Sequence, residues 1–153
     1  MTLAAFETYR RAIQARAISA VWRGYGSTIF LEIGELSSAP ILRNGSVGNP
    51  QGEYTIMLEW SWRIENQVSI IAGSWSDEEG WEEIFKSLIG CGIEDITLFG
   101  RLPELSVVLE GGKYVVSFMT SDGQPSWAVL KRPDHEEKYA SLHVQGGKVV
   151  EEL

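Results

Sequence analysis

With 153 residues, 44% of them hydrophobic and 22% charged, the chain has the length and composition of an ordinary globular protein, so we predict one domain over residues 1–153. The net charge of −8 is uneven: residues 1–23 are basic, and the rest holds nine basic and twenty acidic residues, a net charge of −11. Such an acidic body repels phosphate backbones, which argues against nucleic acid and fits a basic protein partner, although solubility alone also explains the charge.

Cysteine content and hydropathy limit the location of the protein. The single cysteine, Cys91, excludes an intrachain disulfide and a multi-cysteine zinc site, and favours a reducing, cytoplasmic setting. No apolar run approaches the roughly 20 residues that span a bilayer. Glu7, Arg10 and Arg11 interrupt the first apolar stretch, so we expect neither a signal peptide nor membrane association.

The first third of the chain predicts a helix, a strand and a long loop. Residues 3–18 have an apolar stripe at helical spacing. A basic helix of this kind can lie on a membrane, but its short, alanine-rich stripe favours packing on a sheet. Residues 27–34 alternate and predict a strand. The segment 36–53 contains two prolines and three glycines, and connections of this length are usually functional or disordered.

Residues 54–64 show the strongest pattern, because every even position is apolar. Period two over eleven residues predicts a strand with one buried and one solvated face. A turn near residues 65–67 then leads into a second strand up to Ala72. The even positions, which we expect in the core, are Tyr54, Ile56, Leu58, Trp60, Trp62 and Ile64.

A second helix is predicted to begin at Ser76, because Ser76 and Glu79 have capping-box spacing. Acidic residues crowd its first turns, where the helix dipole favours negative charge. Its apolar face repeats at helical spacing and indicates packing on the core. That face comprises Trp81, Ile84, Phe85 and Leu88.

The C-terminal half predicts mostly strands. A hairpin at 104–119 is expected to turn at Gly111-Gly112, which places Val107 opposite Val116. We also predict strands at 93–98 and 127–130, and a hairpin at 139–151 that lies at a sheet edge. Together the elements predict an α+β fold: a curved, mainly antiparallel sheet of about seven or eight strands with two helices packed on one face.

No pattern in the sequence predicts a catalytic, metal or cofactor site. The run Asp134-His135-Glu136-Glu137 offers metal-ligand types, but adjacent residues of one loop seldom converge on one ion, so a solvated loop is favoured. His143 lacks the surroundings of a catalytic triad. Cys91 is expected to be a buried small hydrophobe. Glu59 and Glu65 are the carboxylates of the hydrolase alternative, although residues of one strand are poorly spaced as an acid–base pair.

Candidate binding residues are those that the predicted core leaves free. For a protein partner these are Arg43 and Asn44 in the long loop, Glu59 and Arg63 on the solvated strand face, and Glu78 and Glu82 on the acidic helix. Arg63 is also expected to form a cross-strand ion pair. For a small ligand, the candidates Trp22 and Trp75 stand at segment ends, whereas Trp60, Trp62 and Trp81 fall on predicted core faces.

Several phrases together resemble a group of small bacterial proteins, the immunity-type proteins of toxin systems. The phrases are Gly26-Ser27 before Phe30-Leu31-Glu32, Gly52-Glu53 leading to Trp60-Ser61-Trp62-Arg63, Gly73-Ser74 before the acidic helix, and Gly111-Gly112 ending at Trp127. The resemblance spans about residues 20–150. It implies an α+β fold and a binding role, and it brings no catalytic residue.

Three hypotheses of function follow from these observations. The leading one is an acidic, non-enzymatic protein-binding module, for example an immunity protein that neutralises a basic toxin. The second is a small-molecule or carbohydrate-binding domain that uses the 36–53 loop, Trp22 and Trp75. The third is a hydrolase built on Glu59, Glu65 or Cys91.

Overall fold

The computed structural model describes residues 3–122, 126–133 and 139–153. These residues include two α-helices, α1 (Leu3–Ile13) and α2 (Trp81–Leu88), the second preceded by a 3-10 turn at Glu78–Gly80. They also include eleven strands. In chain order the strands are β1 (Ile18–Arg23), β2 (Ile29–Ile33), β3 (Tyr54–Leu58), β4 (Trp62–Glu65), β5 (Ile70–Gly73), β6 (Ile93–Phe99), β7 (Glu104–Leu109), β8 (Lys113–Ser117), β9 (Trp127–Lys131), β10 (Ala140–Gln145) and β11 (Lys148–Glu152).

The strands form two antiparallel sheets. One has six strands in the order β1-β2-β3-β9-β10-β11, and the other has five in the order β5-β4-β8-β7-β6. The α+β class, the antiparallel pairing and the two helices are therefore confirmed. The single curved sheet of seven or eight strands is wrong, because the chain passes from one sheet to the other within the segment that we expected to be one strand.

That segment, residues 54–64, is divided at Trp60. β3 pairs with β2 and β9 in the first sheet, and β4 pairs with β5 and β8 in the second. Between them, Trp60 has a φ of +66°, and the Ser61 N–H donates to the Glu59 carbonyl at 2.8 Å. This three-residue γ-turn keeps the apolar alternation in phase on both sides, so periodicity alone could not reveal it.

One hydrophobic core joins both sheets and both helices. It includes Leu31, Ile56 and Trp62, all fully buried. We predicted that both helices pack on one face of the sheet, and the structure differs from this. Instead, α1 packs chiefly against β6 and β11, and α2 chiefly against β1 and β5. Each helix thus contacts an edge strand of each sheet.

The predicted helix at 3–18 ends at Ile13, and residues 18–23 form β1, a strand that we did not predict. Ala15 takes a φ of +67°, and its N–H donates to the Ile93 carbonyl at 2.9 Å. Ala17 then forms a bridge to Gly92. Tertiary pairing with the distant segment around residue 92 therefore overrides the local helical pattern, as it commonly does.

The hairpin at 104–119 forms, but its register is shifted by one residue from our prediction. Val107 lies opposite Val115, not Val116, and the loop has three residues because Leu109 lies opposite Lys113. Valines occupy both faces of both strands, so the side chains discriminate poorly between the two registers.

The start of the second helix also differs in detail. Ser76 does not cap it, because the Ser76 Oγ accepts from the Gly73 N–H at 3.0 Å. Asp77 caps the 3-10 turn instead, accepting from the Glu79 N–H at 3.1 Å. The predicted core face of α2 is confirmed, since Trp81 and its partners Phe85 and Leu88 are buried. The C-terminal hairpin lies at a sheet edge, as predicted.

Candidate partner-binding surface

Three large aromatic side chains are exposed in neighbouring loops. Tyr25, in the β1–β2 turn, is 94% exposed; Trp75, between β5 and the 3-10 turn, is 82% exposed; and Trp60 in the γ-turn is 46% exposed. We call the surface formed by Tyr25, Trp60 and Trp75 the aromatic end. Trp60 was predicted to lie in the core, and the γ-turn is what turns it out to solvent.

Hydrogen bonds around Trp62 and Ser27 hold these loops together. The Ser27 Oγ donates to the Trp60 carbonyl at 2.8 Å, and the buried Trp62 donates its Nε1–H to the Ser27 carbonyl at 2.5 Å. The Ser74 N–H donates to the Trp62 carbonyl at 2.9 Å, and the Ser74 Oγ accepts from the Trp62 N–H at 3.1 Å. The aromatic end is therefore carried by turns that are fixed to a core tryptophan.

The Trp60 backbone is strained. A positive φ is rare for a bulky residue other than glycine, and the γ-turn with positive φ is the uncommon form. Such strain costs on the order of 1–3 kcal/mol and is concentrated at functional sites. Glycine would fit this backbone better, so the presence of tryptophan points to a use for its exposed ring.

Carboxylates adjoin the aromatic end. Glu59 precedes Trp60, and Asp77, Glu78 and Glu79 follow Trp75 within four residues. The Glu78 carboxylate accepts two hydrogen bonds from Arg23, at 2.9 and 3.0 Å. This places Glu59 and Glu78, two of the residues that we predicted for partner binding, in the segments that form the aromatic end.

Arg63 also lies beside the aromatic end. Its guanidinium lies 5.8 Å from the ring centroid of Phe118, and Arg63, Phe118 and Trp75 line a shallow hollow of about 240 Å³. Its ion pair is with Glu65, two residues along the same strand. The predicted cross-strand pair is therefore wrong, because a residue on the same face of β4 lies within reach of the guanidinium.

A groove runs between β1 and α2, and we call it the edge groove. Its volume is about 490 Å³. Arg23 lies at one end, where its guanidinium stands 4.9 Å from the ring centroid of Trp81. Glu82 lines the groove and pairs with Lys86 at 3.3 Å. Trp22 lines it as well, so this predicted ligand-binding residue lies next to the predicted partner-binding residues Glu78 and Glu82.

Trp22 also lines a second cavity, the loop cleft, of about 380 Å³ beneath the long loop. Its ring stacks on Phe30, with centroids 4.0 Å apart. Its Nε1–H donates to Glu32 at 2.6 Å, and the same carboxylate accepts from the Gly52 N–H at 3.1 Å and from the Thr55 hydroxyl. Glu32 is 1% exposed, and we did not predict a role for it.

The remaining predicted partner-binding residues lie elsewhere. Arg43 and Asn44 are exposed at the tip of the long loop, where the Asn44 Oδ1 accepts from the Ser46 N–H at 3.0 Å. Ile41 and Val47 form a bridge behind this tip. Within the described residues no hydrogen bond or ion pair joins the tip to the aromatic end.

The residues of the hydrolase alternative do not meet. Glu65 pairs with Arg63, and Cys91 packs half-buried against the core, where its thiol lies 3.6 Å from the Ser87 carbonyl. No hydrogen bond among the described residues joins Glu59, Glu65 and Cys91. The described residues hold no group of three metal-ligating side chains. The run Asp134-His135-Glu136-Glu137 lies outside the described residues.

Three groups with altered pKa values lie around α1 and its neighbours. The Arg16 guanidinium, followed by the Glu35 N–H, holds the pKa of Glu53 below its usual value. The Arg10 guanidinium does the same for the pKa of Asp95, with help from Gln14 and against the effect of burial. Burial, then the charge of Glu151, raises the pKa of Tyr9 to about 12.

No helix among the described residues is both long and apolar enough to cross a bilayer. In comparisons with known proteins, the chain matches no family model, no curated protein and no solved structure.

Proposed function

We propose that the chain is a non-enzymatic protein-binding module whose partner is a basic protein, and that it acts as an immunity protein by occupying the surface of a toxin. The observation that carries the proposal is the strained, exposed Trp60 beside Tyr25 and Trp75 on loops rich in carboxylates.

Exposed aromatic residues support binding to a protein. Tryptophan and tyrosine are enriched at the few interface positions that supply most of the binding energy. An apolar side chain in solvent contributes no free energy of burial. A partner that covers it would contribute about 25 cal/mol per Å² of apolar area. Among the aromatic side chains of the described residues, Tyr25 and Trp75 are the most exposed, each by more than four-fifths.

The charge pattern supports a basic partner. Arginine and lysine side chains can pair with Glu59, Asp77 and Glu79 and can stack on tryptophan faces at the same time. Arg23 makes both kinds of contact within the chain, because it pairs with Glu78 and lies over the ring of Trp81. The net negative charge of the protein would also attract a basic partner and so raise the rate of association.

The test uses Trp75→Ala, which removes a highly exposed ring. The control is Phe99→Ala, which removes a 42% exposed aromatic ring at the end of β6, the edge strand opposite β5. A protein captured by the wild type is identified, purified and titrated against all three chains at low and high salt. We expect Trp75→Ala to weaken binding by about tenfold or more, the scale of an interface hot spot. Phe99→Ala should bind like the wild type, and affinity should fall with salt.

The immunity role is tested with the same purified pair. Expression of the partner alone should arrest bacterial growth, the wild-type chain should restore it, and Trp75→Ala should restore it less. Equal affinities of Trp75→Ala and wild type would contradict the binding surface. A partner whose expression leaves growth unchanged would contradict the immunity role.

A second candidate function rests on the loop cleft. There Trp22 and the 36–53 loop share one cavity, which is the pairing that the small-ligand hypothesis requires. Ligands of moderate size bind in cavities of about this volume. Titration of a small-molecule and sugar library, followed by tryptophan fluorescence in wild type and Trp22→Phe, tests it. A response that is absent, or that persists in Trp22→Phe, would count against this function.

A further inference from the structure

Strand β1 has a free edge beyond its first residue. On one side it pairs with β2. On the other side Ile18 is occupied, because its N–H donates to the Cys91 carbonyl at 2.9 Å and its carbonyl accepts from the Gly90 N–H at 2.7 Å. From Ser19 onward, no other strand of the described residues pairs with this side.

The alternation of an antiparallel ladder shows which backbone groups face the free edge. The Gly24 N–H donates to the Thr28 carbonyl at 2.8 Å, so Trp22 opposite Phe30 is the next hydrogen-bonded pair. Val21 lies between bonded positions, and its N–H and C=O therefore point away from β2. The same holds for Arg23.

These free groups lie at the edge groove, beside an apolar wall. Val21 and Arg23 line the groove from β1, and Trp81, Phe85 and Ile89 line it from the helical side. Residues 20–23 extend over about 13 Å at the rise of a β-strand. The groove therefore offers backbone hydrogen-bonding groups along one wall and apolar side chains along the other, as grooves that accept an added strand do.

The other sheet edges are protected by charge, short length or a covering segment; β1 contacts α2, but from Ser19 onward its backbone pairs with no described strand other than β2. β11 has charged residues at Lys148, Glu151 and Glu152, and β5 has only four residues. β6 contacts α1 and meets the 15–18 segment. Natural sheets protect their edges by charge, short length or covering elements. β1 instead presents Val21 and Trp22, with Arg23 at its end.

We infer that the edge groove takes an extended, basic segment of the partner protein as a strand added to β1. The inference rests on the proposed function and specifies how the partner binds. Within the groove lining the charges balance, because Glu78 pairs with Arg23 and Glu82 with Lys86. The same segment also carries Asp77, Glu79 and Glu83, which are exposed and form no ion pair among the described residues, so the charge beside the groove favours a basic occupant.

The test uses a blocked heptapeptide of alternating valine and arginine as the probe. Two matched controls are the same peptide with glutamate for arginine, and the same peptide N-methylated at alternate residues, which cannot form the backbone ladder. Amide hydrogen exchange is followed by NMR on the full chain, with and without each peptide. We expect the probe to protect the amides of Val21 and Arg23, whereas the Trp22 amide is protected in both states. Both controls should bind at least about tenfold more weakly.

Binding without new protection at Val21 and Arg23 would overturn the inference, as would equal affinity of the N-methylated peptide. If the free chain dimerises and those two amides are already protected, the edge belongs to a second copy and the inference fails. Failure of the proposed function is seen separately, as equal partner affinity of wild type and Trp75→Ala, because Trp75 does not line the edge groove.

Discussion

Arg23 and Glu78 join the end of β1 to the turn before α2, with guanidinium nitrogens 2.9 and 3.0 Å from the carboxylate oxygens. Both side chains are substantially exposed, and exposed pairs of this kind contribute at most about 1 kcal/mol to stability. The pair lies between the aromatic end and the edge groove. Its main effect is therefore expected on binding.

Glu78→Gln should change the free energy of unfolding by less than about 1 kcal/mol. It should weaken binding of the basic partner, because it removes a charge that partner arginines can use. Urea denaturation and calorimetric titration measure the two effects. Glu94→Gln, at an exposed position of β6, is the control and should change neither. An affinity loss equal to that of the control would show that Glu78 has no part in binding.

The γ-turn at Trp60 predicts an unusual order of stabilities. Trp60→Ala and Trp60→Gly remove the same ring, but alanine retains the cost of a positive φ. We expect Trp60→Gly to be more stable than Trp60→Ala by about 1 kcal/mol, the reverse of the order inside regular strands. Urea denaturation of the two variants measures the difference.

Both variants should also bind the partner more weakly than the wild type does, by a similar factor, because both lack the exposed ring. A Trp60→Ala chain that equals or exceeds Trp60→Gly in stability would show that the turn relaxes in the variant and stores no strain.

Sequence patterns predicted those elements whose buried side chains recur at a regular spacing. The core face of α2 follows from its spacing, and so do the buried positions of β3 and β4, because burial imposes a period on the side chains. The break at Trp60 left that period unchanged and was invisible for this reason. β1 was missed because the helical pattern was read through to residue 18, whereas Ala15 and Ala17 just before β1 pair with the segment near Gly92, about seventy residues away.

The candidate surface was predictable only in part. Glu59, Glu78 and Trp75 were identified as residues left outside the core, and their segments meet at one end of the molecule. The exposure of Trp60 depends on one backbone angle that no side-chain pattern encodes. Glu32 carried a signal, since the alternation placed it on the face away from the core and next to a long loop. Its burial depends on that loop, which has no periodicity.

Glu32 should be a stabilising residue, and Glu32→Gln tests this. The carboxylate is buried and accepts from the Trp22 Nε1–H, the Gly52 N–H and the Thr55 hydroxyl. The glutamine side chain has one acceptor oxygen and one NH₂ group, so its NH₂ group would face one of the donors that now bond to the carboxylate. We expect a loss of about 1–3 kcal/mol in the free energy of unfolding, the cost of an unsatisfied buried group.

The same variant should increase proteolysis within residues 36–53, because Gly52 anchors that loop to Glu32. Glu35→Gln, an exposed neighbour, serves as the control and should do neither. Unchanged stability of Glu32→Gln would show that the three donors find other acceptors in the variant and that the carboxylate does not stabilise the fold.

Asp95 should make stability depend on acid pH. Arg10 donates to it at 2.6 and 3.1 Å, Gln14 donates at 3.0 Å, and these contacts hold the pKa of Asp95 below its usual value. A lowered folded-state pKa means that the stabilisation is fully present above the unfolded-state pKa of about 3.9. It is lost as the pH falls from there through the folded-state pKa.

Asp95→Asn should therefore cost about 1 kcal/mol at neutral pH, the scale of a hydrogen bond to a partly exposed group. The difference from wild type should shrink as the pH falls below that unfolded-state value, because the wild-type carboxylate is then protonated too. Urea denaturation at a series of acid pH values measures the difference, and Glu94→Gln is the control on the same strand. A difference that stays constant across the acid range would show that packing, and not the charge of Asp95, accounts for the effect.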